Sequence, residues 1–236
     1  MLLFFGHGHA FSEEQNSAFF TDGNDLVLVD HSMYAFHRLK RIGADKLTES
    51  GRTENIYVII THTHSDHVGG IPLLVHYAYY VWHIPVTVAV PSAEVAENML
   101  YYLDKIEGCD RNAYRITDAS GLKWVKNIIP TEHAPSLKGK CFGYEFEIDG
   151  RKVVYTGDTS MLDNYLPYVD SDTYFYTETS VRRSVVHLCI YDIIDKLKTL
   201  SDSGTKVFLM HLDDEEQIRK IIKDTKISVS PIYTEQ

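Results

Sequence analysis

Residues 61–70 of this 236-residue chain read Thr61-His62-Thr63-His64-Ser65-Asp66-His67-Val68-Gly69-Gly70. Three histidines and one aspartate therefore fall within six residues, directly after the apolar run of residues 56–60. A His-x-His pair in an extended segment directs both rings to the same side, and imidazole and carboxylate are the ligands that zinc-type metals prefer. The stretch predicts a buried strand and a loop that feeds two neighbouring metal ions. The alternative is a polar strand-to-helix turn whose aspartate caps the helix and whose histidines are exposed.

Length and composition favour a single globular domain over residues 1–236. Hydrophobic residues make up 44% of the chain, and no long linker or low-complexity tract interrupts it. No long uncharged apolar run occurs, so we expect no membrane span. The three cysteines (Cys109, Cys141 and Cys189) are far apart, and the N-terminus lacks the pattern of a secretory signal. These features predict buried free thiols and a cytoplasmic protein.

The formal net charge of −10 argues against binding to long duplex nucleic acid, which usually requires a basic face. A small phosphate ester or a short single strand is still compatible with this charge, because bound metal ions would change the local field. Two basic pairs stand out, Lys138/Lys140 and Arg182/Arg183. They are interpreted either as solvated surface charges or as contacts to a substrate phosphate.

Strand and helix patterns alternate along the chain, which indicates an α/β architecture. Strands are predicted at residues 2–5, 17–21, 26–29, 56–60, 86–90, 124–129, 142–148, 152–156, 174–177 and 206–210. Helices are predicted at residues 32–42, 68–82, 91–106, 185–200 and 214–223, with Ser32 and Ser92 as N-caps. Residues 27–32 resemble residues 154–160, and residues 59–62 resemble residues 208–211. These similarities suggest two related halves packed face to face around a central cleft.

Three further candidate ligands stand where other apolar strands end, namely His133, Asp158 and His211. The carboxyl ends of strands are the usual location of ligands in α/β sheets. A single histidine in such a place is more often structural. Three such positions together with residues 61–70 favour a shared metal site.

With these residues the sequence resembles the metallo-β-lactamase superfamily of hydrolases over nearly its whole length. The resemblance implies a four-layer αβ/βα sandwich, and its ligand set is His62, His64, Asp66, His67, His133, Asp158 and His211. The first two histidines and His133 would hold one metal, and Asp66, His67 and His211 would hold the other, with Asp158 bridging. The implied cofactors are two divalent metal ions, zinc first and manganese or iron as alternatives. Asp30 would orient ligands without binding metal.

Within that superfamily, residues 60–74 are similar to the corresponding stretch of ribonuclease Z-type phosphodiesterases. The resemblance implies hydrolysis by a hydroxide bridging the two metals, with Asp66 in the catalytic centre. Glu178 and His187 fall near the positions where that family carries a Glu and a His that pass a proton to the leaving oxygen. Their alternative roles are a capping glutamate and a histidine on a helix face.

The sequence also departs from ribonuclease Z. Thr177 replaces the family's histidine, His187 is followed by Leu-Cys instead of hydroxyl residues, and the long Gly/Pro-rich arm that grips tRNA is absent. We therefore expect a smaller phosphodiester, such as a cyclic nucleotide, a short oligonucleotide or a phospholipid head group.

Several alternatives remain open. The enzyme alternative is a lactone, thioester or β-lactam hydrolase on the same fold. A flavin-linked oxidoreductase or dioxygenase with iron and a non-catalytic metal-binding module are the others. Residues 6–11 would form a loop at the cleft rim, or His7 and His9 would bind an extra metal. The helical spacing of several tyrosines suits core packing or the face of a homodimer.

Overall fold

The computed structural model describes residues 1–235, which contain two six-stranded sheets. The first sheet is built from strands β1 Leu3–Gly6, β2 Ser17–Asp22, β3 Asp25–Val29, β4 Asn55–Ile59, β5 Val86–Val90 and β6 Tyr114–Asp118. The second is built from β7 Val125–Thr131, β8 Cys141–Ile148, β9 Arg151–Tyr155, β10 Tyr174–Glu178, β11 Lys206–Met210 and β12 Ser228–Val229. The α-helices are α1 Met33–Ile42, α2 Ser65–Val68, α3 Ile71–Tyr77, α4 Ala93–Tyr101, α5 Ile190–Asp202 and α6 Glu215–Ile222.

Both sheets share one topology. Strands lie in the orders β1-β2-β3-β4-β5-β6 and β12-β11-β10-β9-β8-β7. In chain order, the first three strands of each sheet (β1 to β3 and β7 to β9) form two antiparallel pairs. The other three neighbouring pairs in each sheet are parallel. Val29 pairs with Ile59, which pairs with Ala89, so the loops after β3, β4 and β5 leave the first sheet at one level. Polar residues that follow these strands are thereby gathered at one edge.

The apolar core has three parts that separate four layers. Phe4, Phe20 and Val29 of the first sheet pack with Tyr144 and Tyr155 of the second in the central part. The other two parts lie between the first sheet and helices α1, α3 and α4, and between the second sheet and helices α5 and α6. The predicted four-layer αβ/βα sandwich is confirmed. No helix within residues 1–235 has the length and apolar character needed to cross a bilayer, and all three cysteines are free and buried.

Two helix starts agree with the sequence pattern. The Ser32 hydroxyl accepts a hydrogen bond from the Ala35 N–H (3.1 Å), and the Ser92 hydroxyl accepts one from the Val95 N–H (3.3 Å). Both serines are therefore N-caps, as predicted. The strands β6 and β12 were not predicted, because β6 is partly exposed and β12 has only two residues.

Two predicted helices begin elsewhere. The helix predicted at residues 68–82 is interrupted at Gly70, where a Cβ atom would collide with the Ser32 carbonyl oxygen. The prediction of a helix from residue 185 is wrong, since α5 begins at Ile190. The Ser184 hydroxyl instead accepts hydrogen bonds from the N–H groups of Val186 (3.0 Å) and His187 (3.1 Å). These bonds hold the segment as a loop.

Only one of the two internal similarities reflects the topology. β3 and β9 are both third from the edge of their sheets, so Asp30 and Asp158 occupy related positions. In chain order, β4 is the fourth strand of the first sheet, whereas β11 is the fifth strand of the second. The resemblance of residues 59–62 to residues 208–211 therefore does not mark equivalent strands.

Candidate metal centre and active site

The His-x-His-x-Asp-His motif connects β4 to α2. His64 has an extended backbone and lies immediately before α2, so Asp66 and His67 occupy the first turn of this helix. His62 and His67 are fully buried, and Asp66 is nearly so. The motif thus buries these polar side chains where β4 ends.

A first cluster is formed by His62, His64 and His133. The His64 Nδ1 atom lies 3.0 Å from His62 Nε2 and 3.3 Å from His133 Nε2. Nitrogen ligands of one tetrahedral zinc ion, each at about 2.1 Å, would be about 3.4 Å apart. The three rings therefore have the spacing of ligands to a single ion.

A second cluster is formed by Asp66, His67, Asp158 and His211. His67 Nε2 lies 3.2 Å from Asp66 Oδ2 and 3.4 Å from Asp158 Oδ1. His211 Nε2 lies 3.4 Å from an oxygen of each carboxylate. The ligand atoms of this group all lie within 4.8 Å of one another, as do those of the first cluster.

Asp158 lies between the two clusters. Its Oδ2 atom is 3.7 Å from His133 Nε2 and 4.0 Å from His62 Nε2, while Oδ1 faces His67. The preceding Gly157 has a φ of +60°, and a Cβ there would lie 2.9 Å from the Thr61 Cβ. The glycine allows the chain after β9 to pass close to the motif. One carboxylate can thus serve both clusters.

Hydrogen bonds to the Nδ1 atoms of three histidines orient their Nε2 atoms toward the clusters. His67 Nδ1 donates to Asp30 Oδ2 (2.8 Å), His133 Nδ1 donates to the Val186 carbonyl (2.7 Å), and His62 Nδ1 donates to the Thr61 hydroxyl (3.0 Å). In each ring the proton on Nδ1 leaves a lone pair on Nε2. These three lone pairs face the clusters, as metal ligation requires.

The protein supplies no partners for several atoms at the centre. Among residues 1–235, His67 Nε2 and Asp158 Oδ1 are buried without a hydrogen-bond partner. Burial lowers the pKa of His62 well below its ordinary value and also lowers the pKa of His64 and of His133. Neutral imidazoles with facing lone pairs repel one another unless a cation lies between them. The donor set therefore fits bound metal ions, and in the first cluster the protonation of the histidines fits them as well.

Asp30 is fully buried and connects the motif to β3. Its Oδ1 accepts the Thr61 N–H (2.8 Å), and its Oδ2 accepts both the Thr61 hydroxyl (2.8 Å) and His67 Nδ1. Burial lowers the pKa of His67, but the charges of Asp158, Asp30 and Asp66 outweigh burial and raise it well above the ordinary value. Asp30 adopts a positive φ of 57°, and His211 one of 52°. Such conformations are uncommon outside glycine and are concentrated at functional sites.

Glu178 and His187 lie beside the clusters and contact each other. His187 Nδ1 donates to Glu178 Oε1 at 2.9 Å, and the same oxygen accepts the Thr159 N–H at 2.9 Å. The His187 ring centroid is 4.8 Å from that of His133. Burial raises the pKa of Glu178. Burial lowers the pKa of His187, but the hydrogen bond to Glu178 and the charges of Glu178 and Asp158 together outweigh it and raise this pKa to about 9. The pair can hold a proton near the metal clusters.

Sequence reasoning missed the parts of the site that act through the backbone. The Val186 carbonyl and the Thr159 N–H carry no side-chain signal, although each fixes a site residue. Among the predicted residues, His7 takes no part in a metal cluster within residues 1–235. Its two ring nitrogens contact the Ser230 carbonyl and the Glu215 carboxylate, each at 2.9 Å.

Comparison with known proteins identifies the family to which the chain belongs. A family model described as a beta-lactamase superfamily domain matches residues 27–212. Among curated proteins no significant match is found. Three solved structures share the fold: the metallo-β-lactamase fold protein YhfI from Bacillus subtilis, a diphosphatase of the PhnP family and the short form of human tRNase Z.

The three structural matches cover nearly all of both chains. YhfI is 15% identical with a TM-score of 0.75, covering 99% of this chain and 97% of that one. The diphosphatase is 14% identical with a TM-score of 0.69, covering 99% and 95%. The human tRNase Z is 15% identical with a TM-score of 0.65, covering 99% and 97%. The chain belongs to the metallo-β-lactamase superfamily, as predicted.

Proposed function

We propose that this protein is a binuclear metal-dependent phosphodiesterase for a small phosphodiester. The observation that carries the proposal is the Glu178–His187 pair, which lies next to both ligand clusters with its hydrogen bond at 2.9 Å. An acyl hydrolase has less need of such a pair, because the poor leaving group of a phosphodiester is an alkoxide that must be protonated. The names of two fold relatives, a diphosphatase and a tRNase, support a substrate that is cleaved at phosphorus.

Each residue of the site has a defined part in this proposal. His62, His64 and His133 would hold one divalent ion, and the second cluster would hold the other, with zinc as the first choice. A pair of bound ions supplies an activated water and neutralises charge on the phosphate. Asp158 would keep the two sites together.

The protein's own proton chemistry lies in the Glu178–His187 pair. Glu178 is fully buried and receives the Thr159 N–H, so its carboxylate is fixed in position. Glu178 accepts a hydrogen bond from His187 Nδ1. His187 Nε2 is then the ring atom that can release a proton. We assign to His187 the protonation of the leaving oxygen, and to Glu178 the orientation of its ring.

The test compares bis(p-nitrophenyl) phosphate with a lactone and a thioester, using zinc-loaded protein. We expect the phosphodiester to be hydrolysed, and His187→Ala to reduce its turnover by roughly 10²–10⁴-fold. Zinc content should be unchanged in this variant, because His187 is not among the proposed ligands. Turnover of acyl substrates alone would refute the proposed function, and normal phosphodiester turnover in His187→Ala would refute the role of the pair.

A further inference from the structure

A small cleft opens beside the metal clusters and is not explained by them. Its volume is about 170 Å³, and its floor includes His187 and His211. Its other lining residues are His9, Ala10, Phe11, Ser180, Arg182, Ser184 and Asp213. A group attached to a phosphate at the metal centre would therefore extend into a cleft lined by these residues.

Phe11 is exposed to solvent on a loop that is closed by hydrogen bonds. Its side chain is 94% exposed, which is unusual for a phenylalanine. The Phe11 N–H donates to His9 Nδ1 (3.1 Å), and the amide of Gln15 donates to the Ala10 carbonyl (2.9 Å). The Phe11 ring meets the His9 ring edge-on, with centroids 5.6 Å apart at 82°. The loop thus presents an aromatic ring whose surface is almost wholly free.

The base of this loop is attached to the metal centre. The His9 N–H donates to the Leu212 carbonyl (3.0 Å), and the Leu212 N–H donates to the His7 carbonyl (2.8 Å). Leu212 directly follows the ligand His211. The base of the loop that carries Phe11 is therefore fixed relative to the clusters, which helps to position a side chain that recognises substrate.

The cleft is also lined by two charged residues, Arg182 and Asp213. Within the described part of the chain, the Arg182 guanidinium forms no ion pair, whereas Arg183 pairs with Asp192 at 2.8 Å. The backbone N–H of Arg182 donates to the hydroxyl of Ser180 (3.0 Å) and to Asp213 (3.2 Å), so its position in the loop is fixed. An aromatic ring and a guanidinium without an ion-pair partner therefore line the same cleft, together with the Asp213 carboxylate.

We propose that Phe11 is a specificity-determining residue that stacks on a planar aromatic ring carried by one ester group of the substrate. A nucleobase and a simple aryl group share this chemistry. The inference rests on the proposed function in so far as a phosphate ester binds at the metals. Stacking of a base on an aromatic side chain strengthens binding by roughly fivefold to a hundredfold. Phe11 thus selects aromatic over aliphatic phosphate esters.

The experiment measures binding to zinc-loaded protein by calorimetry, with two matched pairs of phosphate monoesters. One pair is thymidine 5′-monophosphate and deoxyribose 5-phosphate, and the other is benzyl phosphate and propyl phosphate. We expect at least one ring-bearing member to bind about fivefold or more tightly than its partner. The preference should vanish in Phe11→Ala, weaken in Phe11→Leu and persist in Phe11→Trp. Val185→Ala is the control, since Val185 is 89% exposed and lies in another cleft beside His187.

The outcomes separate this inference from the proposed function. A preference confined to the thymidine pair identifies a nucleobase, and a preference in both pairs identifies aryl groups in general. Equal binding within both pairs, or a preference that survives in Phe11→Ala, would overturn the inference. A Phe11-dependent preference in a protein that hydrolyses no phosphodiester would uphold it and refute the proposed function. Phosphodiester turnover without any preference would refute only the inference.

Discussion

Asp30→Asn should weaken one metal site strongly while leaving the fold intact. Asp30 accepts hydrogen bonds from two N–H donors. The Thr61 N–H donates to Oδ1, and His67 Nδ1 donates to Oδ2. An asparagine amide has one acceptor oxygen, so either orientation sets an N–H group against one of these donors. The backbone is not disturbed, because asparagine tolerates the positive φ of this position.

The expected loss of zinc affinity follows from the least costly rearrangement open to the variant. A buried donor left without an acceptor costs about 1–3 kcal/mol. His67 avoids this cost by moving its proton from Nδ1 to Nε2, but Nε2 then has no lone pair for a metal. We therefore expect the affinity of the second cluster for zinc to fall roughly 10–100-fold, in line with the loss of other partners of metal-binding histidines.

The assay is competition for zinc with a chromogenic chelator, fitted to two sites. Asp30→Asn should weaken the site that contains His67 and change the other site much less. The comparison variant is Thr61→Val, which removes the hydroxyl that accepts a hydrogen bond from His62 Nδ1 and donates one to Asp30. Because it keeps the bond between Asp30 and His67, it should weaken the first site more than the second. A folded Asp30→Asn protein with both zinc affinities unchanged would refute the reasoning.

Three further predictions concern charge, backbone and metal. Arg182→Ala should lower kcat/KM for a phosphodiester roughly threefold to tenfold and flatten its dependence on ionic strength. Arg183→Ala should change kcat/KM and its salt dependence less, because Asp192 already pairs with Arg183. Steady-state kinetics at several salt concentrations that show equal effects for Arg182→Ala and Arg183→Ala would contradict this prediction. Gly157→Ala should lower the free energy of unfolding by about 1–3 kcal/mol, because of the positive φ and the contact with Thr61, and an unchanged urea midpoint would contradict this. Removal of metal by a chelator should lower Tm, since ions that bind only the folded state stabilise it by about 2.7 kcal/mol at a hundred times Kd; a calorimetric scan with equal Tm for both forms would exclude metal binding to the folded state.

The positions of the candidate ligands could be predicted from the sequence because each has a local signature. Residues 61–70 bring four candidate ligands together by spacing alone, and His133, Asp158 and His211 each follow the end of an apolar strand. Parallel strands end at a common edge, so positions distant in sequence become neighbours. The structure brings all of them into the two clusters.

The loop before α5 could not be predicted in the same way. Residues 185–190 have an apolar pattern that also suits a helix. The competing hydrogen bonds to the Ser184 hydroxyl, and the bridge between Ser180 and Cys189, depend on the folded chain. The contact between the Val186 carbonyl and His133 likewise joins residues 53 positions apart through a backbone atom.

The role of His7 was hidden for a related reason. The sequence shows a second His-x-His pair at His7 and His9, which is also a plausible metal motif. The partners that occupy His7 are Ser230 and Glu215, which lie 223 and 208 residues away. Local spacing does not reveal long-range hydrogen bonds that consume a candidate ligand.

Counting the metal ions in protein purified without added metal tests the central claim most directly. Elemental analysis against chain concentration should give about two divalent ions per chain, zinc first. Asp158→Ala should reduce the occupancy of both sites, because its carboxylate faces both clusters. A chain that holds no divalent ion, even after incubation with zinc and desalting, would contradict the account.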